Sequence, residues 1–269
     1  MVVCKTVSQL QEYRKSLGSD VGFIPTMGAL HQGHMSLVKA AKKQNSTTIV
    51  SIYVNPTQFL AGEDLDRYPK SVEKDLQKCK DHGVDAVFLP SNLYGCDEVS
   101  IKAPTVRGYI LEGHFRPKHF DGVLQVVLKL LNLTKPSHAY FGKKDAQQYL
   151  LIKQMVNDLF LDCKIVGCDT VRDSDGLAKS SRNSYLSQDA RKRALTLSQA
   201  LFFIQDRIAS QDLLSLIEDA KKILDVDSLQ YLCITDRKLQ PIKNYEKDNT
   251  LITIAAYVCG TRLIDNLWI

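Results

Sequence analysis

Two histidines near the start of the chain, His31 and His34, have the spacing and chemistry expected of a phosphate-binding motif. They lie in the segment Pro25–His34, which reads PTMGALHQGH. Because residues three apart face the same side of a helix, both imidazoles can approach one anion. Imidazole donates hydrogen bonds and can carry a positive charge near neutral pH. An isolated HxxH pair is more often two surface histidines in a helix-start turn.

The elements around these histidines favour the phosphate interpretation. A short apolar run, Val21–Pro25, predicts a buried strand, and apolar residues recur at helical spacing from Gly33 onward. The motif therefore lies at a strand–loop–helix junction, where the first helical amides and the helix dipole attract an anion. Gly28 and Gly33 permit close approach of the backbone. Zinc is the alternative for an HxxH pair, but it needs further protein ligands, and none is evident nearby.

A second polar segment, Arg172–Ser184, reads RDSDGLAKSSRNS and offers another set of groups for phosphate. Ser180 and Ser181 supply hydroxyls, and Arg182 supplies a planar fork of donors. Lys179 adds a further positive charge. Alone, the run is also typical of a helix cap followed by a solvated arginine. Two such segments, far apart in the sequence, predict a fold that holds a nucleotide between them.

Two further polar clusters follow predicted strands. Asn55 and Gln58 come after the β-branched run Thr47–Val54, and the segment Phe141–Gln148, FGKKDAQQ, follows another short apolar run. The carboxyl ends of parallel strands line the ligand crevice of an α/β sheet, so both clusters are candidate binding residues. A lysine pair at a helix start opposes the dipole unless an anion binds there. Plain solvent exposure is the alternative for Gln58 and Gln148.

Taken together and in order, these segments closely resemble the pantoate–β-alanine ligase (pantothenate synthetase) family. The matching motifs are PTMGALHQGH, VNPTQF, FGKKDAQQ and DGLAKSSRNSYLS, and LEGHFRPKHFDGV at Leu111–Val123 is also similar. The resemblance covers Val21–Ser187, and the HxGH part alone is shared with class I aminoacyl-tRNA synthetases. It implies a ligation in two steps. ATP adenylates pantoate with release of pyrophosphate, and β-alanine then displaces AMP to give pantothenate.

The resemblance also implies roles for individual residues, a homodimer, and Mg²⁺ accompanying the ATP. The catalytic groups it implies are His34 as proton donor, His31, Lys144, Ser180, Ser181 and Arg182. ATP would be bound by Met27, Gly28, Ala29, Leu30, His31, Gln32, Gly33, His34, Gly142, Lys143, Lys144, Asp145, Val171, Lys179, Ser180, Ser181 and Arg182. Pantoate or β-alanine would be bound by Gln58, Gln148, Asn55, Arg116 and His119.

Two residues depart from the family pattern, and no metal site is predicted within the protein. Lys143 stands where the family commonly has glutamate, and we expect its side chain to point to solvent. Lys179 replaces an apolar residue, and it either strengthens phosphate binding or contributes through its backbone alone. Asp64, Asp66 and Asp75 are candidate ligands for Mg²⁺, but a solvated acidic face explains them better.

Composition and charge exclude several other classes of protein. The chain of 269 residues has 35 basic and 30 acidic side chains, and its formal net charge of +5 is too mild and too evenly spread for a nucleic-acid-binding protein. No apolar stretch approaches the roughly 20 residues of a membrane span, and the N-terminus lacks a signal-peptide pattern. We therefore expect a cytoplasmic protein whose seven cysteines are buried, reduced thiols.

The order of elements predicts an α/β fold, a Rossmann-like parallel sheet with helices on both faces, plus a smaller C-terminal α+β domain. Strands are predicted at 21–25, 47–54, 85–89, 138–141 and 164–168, separated by helices at 33–44, 71–82, 121–133 and 145–160. Residues 90–120 are predicted to be loop-rich with a short strand insertion. Later helices at 188–208 and 211–224 precede strands near 229–235 and 250–258.

This pattern places residues 1–170 in a Rossmann-like domain that binds ATP and pantoate, and residues 171–269 in a small lid domain. Closure of the lid would exclude water from the acyl adenylate. Two other functions remain open. A related adenylyltransferase passes AMP to a phosphate or a nucleotide and needs no β-alanine. A non-catalytic protein that retained the pocket would bind ATP without releasing pyrophosphate.

Overall fold

A computed structural model describes residues 1–269, and the chain forms two compact units. The first unit comprises Met1–Lys143 and Leu151–Asp169, and the second comprises Lys144–Leu150 and Thr170–Ile269. Each unit has a sheet of its own, with six strands in the first and three in the second. The short segment Lys144–Leu150 therefore belongs to the second unit, although the chain on either side of it belongs to the first.

The sheet of the first unit is entirely parallel. Its strands are β1 (Val2–Cys4), β2 (Val21–Thr26), β3 (Thr47–Ile52), β4 (Ala86–Phe88), β5 (His138–Gly142) and β6 (Lys164–Cys168). In space they follow the order β1-β4-β3-β2-β5-β6, and each neighbouring pair runs parallel. The strand order reverses between β2 and β5, and open α/β sheets bind ligands at the carboxyl ends beside such a reversal.

Helices cover both faces of this sheet, as predicted. They are α1 (Val7–Lys15), α2 (Gln32–Gln44), α3 (Val72–Asp81), α4 (Glu112–Phe115), α5 (His119–Thr134) and α6 (Ala146–Asp158), which spans both units. Ile24 and Val50 of the sheet pack with Val38 of α2 in one buried cluster. Successive strand residues face opposite sides, so the fully buried Phe23 and Ile49 point to the other face, where α5 contacts β2.

Two parts of the first unit differ from the prediction. The edge strand β1 and helix α1 were not predicted; α1 begins with a capping box between Thr6 and Gln9. The expected strand insertion in residues 90–120 is wrong, because this stretch contains no strand, only the short α4 and the first two residues of α5. The backbone passes close to itself at two glycines of this stretch: a Cβ on Gly113 would lie 1.9 Å from the carbonyl oxygen of Gly108.

The second unit is a small α+β arrangement, which confirms the predicted fold class. Ser181–Tyr185 form a 3₁₀ helix, followed by α7 (Gln188–Arg207), α8 (Leu213–Lys221), β7 (Ser228–Asp236), β8 (Thr250–Val258) and β9 (Thr261–Trp268). The sheet is antiparallel in the order β7-β8-β9, and β9 was not predicted. Leu201 of α7 and Leu216 of α8 share one buried cluster with Ile252 and Ile254 of β8.

The cysteines are free, but they are not uniformly buried as expected. Cys4 and Cys79 are buried, whereas Cys96 and Cys259 are exposed. None of the helices combines the length and the apolar character that a membrane crossing would require.

Candidate active site

Both histidines of the first motif lie at the start of α2, where they replace the usual capping residues. Nδ1 of His31 accepts a hydrogen bond from the Gly33 amide at 3.1 Å, and Nδ1 of His34 accepts one from the His31 amide at 3.2 Å. The ring centroids are 4.1 Å apart. Because each Nδ1 accepts a hydrogen bond, the proton of each neutral ring lies on Nε2. The motif thus fixes two Nε2–H donors at one helix start.

The loop before these histidines is held by a buried carboxylate. Asp75 of α3 is 1% exposed and accepts hydrogen bonds from the amides of Ala29 and Leu30, both at 2.8 Å. Lys78, one turn later on α3, donates to the Leu30 carbonyl. The interpretation of Asp75 as part of a solvated acidic face is therefore wrong. Its spacing of four residues from the buried Cys79 was the signal that it points inward.

The same loop bends sharply beside Asn55 and Gln58. Gly28 and Ala29 have φ angles of 84° and 50°, in the left-handed region. The Gly28 amide donates to the hydroxyl of Thr26 at 3.2 Å, which in turn donates to the Ser51 carbonyl at 2.7 Å. The turn presents the sulfur of Met27 to the side-chain amide of Gln58 at 3.1 Å. The two clusters thus lie together because β2 and β3 are neighbours.

Asn55 is 1% exposed, and every polar atom of its side chain is used inside the protein. Nδ2 donates to Oε1 of Gln58 at 3.2 Å and to the Gly122 carbonyl at 3.1 Å. Oδ1 accepts hydrogen bonds from the hydroxyls of Thr57 at 3.0 Å and Tyr94 at 2.7 Å. Asn55 therefore fixes the side chain of Gln58, which is partly exposed.

Arg116 and His119 support the same turn from the backbone side. The Arg116 guanidinium pairs with Glu63 through Nε and Nη2, both at 2.6 Å, and Nη1 donates to Nε2 of His119 at 3.0 Å. Since Nε2 accepts this bond, the ring proton lies on Nδ1, which donates to the Gln58 carbonyl at 2.7 Å. Burial, and then the charge of Arg116, lower the pKa of His119 to about 4. His119 is therefore neutral near pH 7.

The segment after β5 divides between the two units. Gly142 ends β5, and Lys143 follows with its ammonium 2.7 Å from Asp169. The side chain of Lys143 is 29% exposed, so it points only partly to solvent and its charge is opposed by Asp169. The amide of Lys143 donates to the Cys168 carbonyl at 2.8 Å, which extends the contact between β5 and β6.

Strand β9 anchors Lys144, the first residue of the segment that belongs to the second unit. The Lys144 carbonyl accepts a hydrogen bond from Nδ2 of Asn266, and its ammonium lies 3.8 Å from Asp145. The ring of Tyr149 packs edge-on against Trp268 with centroids 5.9 Å apart. Lys144, Asp145 and the partly exposed Gln148 thus occupy a short segment whose position depends on β9.

Residues 171–179 form a hairpin that leads into the serine motif. The amide of Lys179 donates to the Val171 carbonyl at 2.9 Å, and Gly176 makes the turn with φ of 95°. Arg172 is fixed by a two-pronged ion pair with Asp265 of β9, at 2.6 and 2.9 Å. The hairpin is therefore tied to the same strand as Lys144.

The positive charge of Lys179 is offset within the hairpin. Its ammonium pairs with Asp173, whose other oxygen accepts a hydrogen bond from Arg191 at 2.8 Å. The hydrogen bond from Lys179, followed by that from Arg191, lowers the pKa of Asp173. This pairing favours the alternative in which Lys179 contributes through its backbone.

The serine motif itself forms a capped turn. Oγ of Ser180 accepts a hydrogen bond from the Arg182 amide at 3.3 Å, and Asn183 donates from its side chain to the Ala178 carbonyl at 3.0 Å. Ser180, Ser181 and Arg182 are partly exposed. The turn thus holds two hydroxyls and a guanidinium in adjacent positions.

The protein contains no group of three or more His, Cys, Asp or Glu side chains that could hold a metal ion.

In the first unit the structure brings together the histidine loop, Asn55, Gln58, Arg116 and His119, and in the second it anchors both Lys144 and the hairpin on β9. Residues that sequence reasoning missed are those that position these groups: Glu63, Asp75, Tyr94, Gly122, Asp265 and Asn266. Most act across long separations in sequence, and only Asp75 left a local signal in the helical spacing.

Comparison with known proteins extends the likeness over the whole chain. The family model described as pantoate–β-alanine ligase matches residues 2–268. The pantothenate synthetases of Sulfurimonas denitrificans and Helicobacter pylori (strain Shi470) are 49% and 50% identical, and each alignment covers all of both chains.

Solved structures show the same correspondence. A pantothenate synthetase of Thermus thermophilus has 37% identity and a TM-score of 0.94, covering all of this chain and 99% of that one. The pantoate–β-alanine ligase of Francisella tularensis, complexed with β,γ-ATP and β-alanine, has 37% identity and a TM-score of 0.84, covering 100% and 97%. A match of this extent leaves no part of the fold unaccounted for, and the chain belongs to the pantoate–β-alanine ligase family.

Proposed function

We propose that this protein is an ATP-dependent ligase that condenses pantoate with β-alanine to give pantothenate, AMP and pyrophosphate. The observation that carries the proposal is the family match over residues 2–268, at about half identity to named pantothenate synthetases. The Francisella relative was solved with β,γ-ATP and β-alanine, which correspond to two of the substrates of this reaction.

The chemistry proceeds through pantoyl adenylate, because a free carboxylate is a poor acyl donor. A carboxylate oxygen of pantoate attacks the α-phosphorus of ATP, and the bond between that phosphorus and the leaving pyrophosphate oxygen breaks. The amine of β-alanine then attacks the acyl carbon, AMP leaves with the former carboxylate oxygen, and the nitrogen loses a proton. The protein must align two anions and offset the charge that develops on the phosphate oxygens.

In this proposal His31 and His34 donate from Nε2 to phosphate oxygens, and His34 is the proton donor. Their Nδ1 caps hold both rings in the donating tautomer before the substrate arrives. Met27–Leu30, Gln32 and Gly33 line the path of the adenosine and phosphates. Because the amides of Ala29 and Leu30 are occupied by Asp75, we propose that these two residues contact ATP through other atoms.

Gln58 and Gln148 are proposed to hold pantoate through its hydroxyl and carboxylate groups, and Gln58 also to meet β-alanine. For Asn55, Arg116 and His119 we propose an indirect part in this binding. Each of the three hydrogen-bonds to Gln58, and Arg116 also pairs with Glu63 and His119, which supports a role in holding Gln58 in place.

For the residues of the second unit other than Gln148, we propose contacts with ATP. Lys144 would meet the phosphates, Asp145 the ribose and Val171 the adenine through its backbone. Ser180, Ser181 and Arg182 would meet the triphosphate, whereas Lys179 would contribute its backbone because Asp173 offsets its charge. Gly142 and Lys143 are proposed to approach the same nucleotide from the end of β5.

The lid role of residues 171–269 stays a prediction, and protease susceptibility with and without ATP and pantoate checks it.

Mg²⁺ is proposed to enter as the ATP complex, since no carboxylate cluster of the protein could hold it alone. Chelation with EDTA should then abolish turnover yet leave the thermal unfolding of the substrate-free protein unchanged. An EDTA-dependent loss of stability without substrates would contradict this assignment.

A homodimer is proposed from the family resemblance, and the cytoplasmic location expected from the sequence is proposed as well. Sedimentation equilibrium tests the first, and cell fractionation the second. A monomer that turns over at the full rate would remove the dimer from the proposal.

The function is tested by pyrophosphate release from ATP and Mg²⁺ with and without pantoate, followed by addition of β-alanine. We expect pantoate-dependent pyrophosphate release, with AMP and the amide product appearing after β-alanine is added. Binding of ATP without pantoate-dependent release would overturn the proposal. It would instead favour an adenylyltransferase with another acceptor or a non-catalytic binder.

A further inference from the structure

Helix α5 approaches the Gln58 turn so closely that only a glycine fits at the contact. Gly122 lies near the start of α5, and a Cβ at this position would lie 2.3 Å from the carbonyl oxygen of Thr57 and 2.8 Å from the nitrogen of Gln58. Favourable contacts between heavy atoms lie at roughly 3.5–4.0 Å. An added methyl group would therefore force either the helix or the turn to move, and the atoms it meets are backbone rather than flexible side chain.

The same approach is fixed by hydrogen bonds through Asn55. Its Nδ2 donates to the Gly122 carbonyl at 3.1 Å and to Oε1 of Gln58 at 3.2 Å. The hydroxyl of Tyr94 donates to Oδ1 of Asn55 at 2.7 Å and lies 3.1 Å from the hydroxyl of Thr57. One buried side chain thus connects the helix backbone, the turn and the side-chain amide of Gln58.

The intrinsic preferences of α5 give no other reason for this glycine. Glycine destabilises a helix relative to alanine, because it has more backbone freedom to lose on folding. Gly122 is buried, and its neighbours Phe120, Val123 and Leu124 are buried apolar side chains. A small apolar side chain would suit the position if the turn did not pass so near.

We infer that Gly122 is a positioning residue. Its missing side chain sets the position of the Gln58 side-chain amide relative to the hydroxy-acid substrate. Asn55 and Tyr94 complete this frame, which we call the Gln58 frame. The inference rests on the proposed function, since Gln58 is the group proposed to hold pantoate. No atom of Gly122 or Tyr94 needs to contact the substrate.

The test compares three variants with the wild type by KM for pantoate, KM for ATP, kcat of pyrophosphate release and melting temperature. Gly122→Ala displaces the turn. Tyr94→Phe removes only the hydroxyl that holds Asn55. Leu130→Ala is the matched control, because it creates a cavity in the same helix about 12 Å further along.

Gly122→Ala is expected to raise KM for pantoate by about tenfold or more, since misplacing a substrate-binding group by about 1 Å can cost about a hundredfold in catalytic efficiency. KM for ATP should rise less, through the contact of Gln58 with Met27. Tyr94→Phe should raise it less. Leu130→Ala should lower the melting temperature without moving either KM. A Gly122→Ala protein with a lower melting temperature and a wild-type KM for pantoate would overturn the inference. If Gly122→Ala does not fold, Tyr94→Phe decides, and an unchanged KM for pantoate overturns it.

A readout that needs no activity separates this inference from the proposed function. The NMR resonances of the Gln58 side-chain amide, assigned with Gln58→Glu, should shift in Gly122→Ala and Tyr94→Phe and stay in place in Leu130→Ala. Shifted resonances in a protein that releases no pyrophosphate with pantoate would mean that the frame exists while the proposed substrate is wrong. Resonances that do not move would overturn the frame.

Discussion

His31 and His34 use the two nitrogens of each ring for different purposes. Nδ1 accepts a hydrogen bond from a backbone amide at the start of α2, and the ring proton therefore lies on Nε2. This division makes a test possible in which Nε2 is removed while an acceptor is kept in place of Nδ1.

We predict that His34→Ala lowers kcat for pantoate-dependent pyrophosphate release by about 10²–10⁴-fold, the usual range for loss of a proton donor. His34→Asn is the matched variant, because its Oδ1 can still accept from the His31 amide while the Nε2 donor is gone. Both variants should lose activity and keep a melting temperature near that of the wild type. Near-normal turnover in His34→Asn would show that only the cap matters.

Asp75 gives a second prediction for a single side chain. In Asp75→Asn the amide group can replace only one of the two acceptors that hold Ala29 and Leu30, so the loop before His31 should loosen. We expect a loss of about 1–3 kcal/mol in the free energy of unfolding and a higher KM for ATP. Denaturant titration and initial-rate kinetics measure the two effects.

Asp81→Asn is the control for this prediction, because Asp81 is exposed on the same helix and accepts only from Gln77. It should change neither quantity appreciably. If Asp75→Asn lowered stability but kept the wild-type KM for ATP, the carboxylate would support the fold and not the nucleotide loop.

At the scale of elements, strand β9 holds the site residues that lie in the second unit. It holds the Lys144 carbonyl through Asn266 and the hairpin of residues 171–179 through Asp265. The Asp265 side chain is 4% exposed and its partner Arg172 is 16% exposed, so their ion pair is largely shielded from water.

We predict that Asp265→Ala costs about 3–5 kcal/mol in the free energy of unfolding, because Arg172 is left as a buried charge without its partner. The double variant Arg172→Ala, Asp265→Ala should recover part of this loss. Asp189→Ala, which breaks an exposed pair with Lys192, should have little effect. Equal midpoints of urea unfolding for Asp265→Ala and Asp189→Ala would refute a role for burial of the ion pair.

The difference between β8 and β9 shows which elements local pattern can reveal. β8 is a largely apolar run, and its predicted bounds, 250–258, are the observed ones. In β9 the polar Asp265 and Asn266 are both buried, which breaks the alternation expected of a half-buried strand. β1 has only three residues and offers no pattern to read.

The site shows the same limit. Motif residues such as His31 and Gln58 could be named from spacing and family likeness, because their neighbours along the chain repeat a known pattern. Residues such as Glu63 and Gly122, which hold the site in place, could not, since Glu63 is 53 positions from its partner Arg116 and Gly122 reads as an unfavourable helix residue. Their purpose becomes visible only when distant segments are seen in contact.

For the molecule as a whole, His119 predicts how stability depends on pH. Its pKa is lowered by burial from 6.5 to about 4, so between these values the unfolded chain binds a proton that the folded chain does not. The resulting stability is fully present above pH 6.5 and is lost as the pH falls towards 4. Its upper limit is about 3 kcal/mol.

His119→Asn should flatten this dependence, because asparagine does not titrate and its Nδ2 can still donate to the Gln58 carbonyl. Melting temperatures of the two proteins at pH 4.5, 5.5 and 7 measure the difference. Glu63 contributes to the pH dependence of stability mainly at the acid end. Burial raises its pKa and the hydrogen bonds and charge of Arg116 lower it, and the net pKa lies below the ordinary 4.5. If the melting temperatures of the two proteins changed in parallel from pH 4.5 to pH 7, His119 would be excluded as the cause of the pH dependence.

The assignment of Lys144–Leu150 to the second unit has a consequence for recombination between relatives. The chain changes unit after Lys143, after Leu150 and after Asp169, so no single crossover point separates the two units. A chimera joined at residue 170 would combine Lys144 and Tyr149 from one parent with Asn266 and Trp268 from the other. Shuffled genes should therefore yield active enzymes more often when residues 144–150 and β9 come from the same parent, even if the intervening stretch does not.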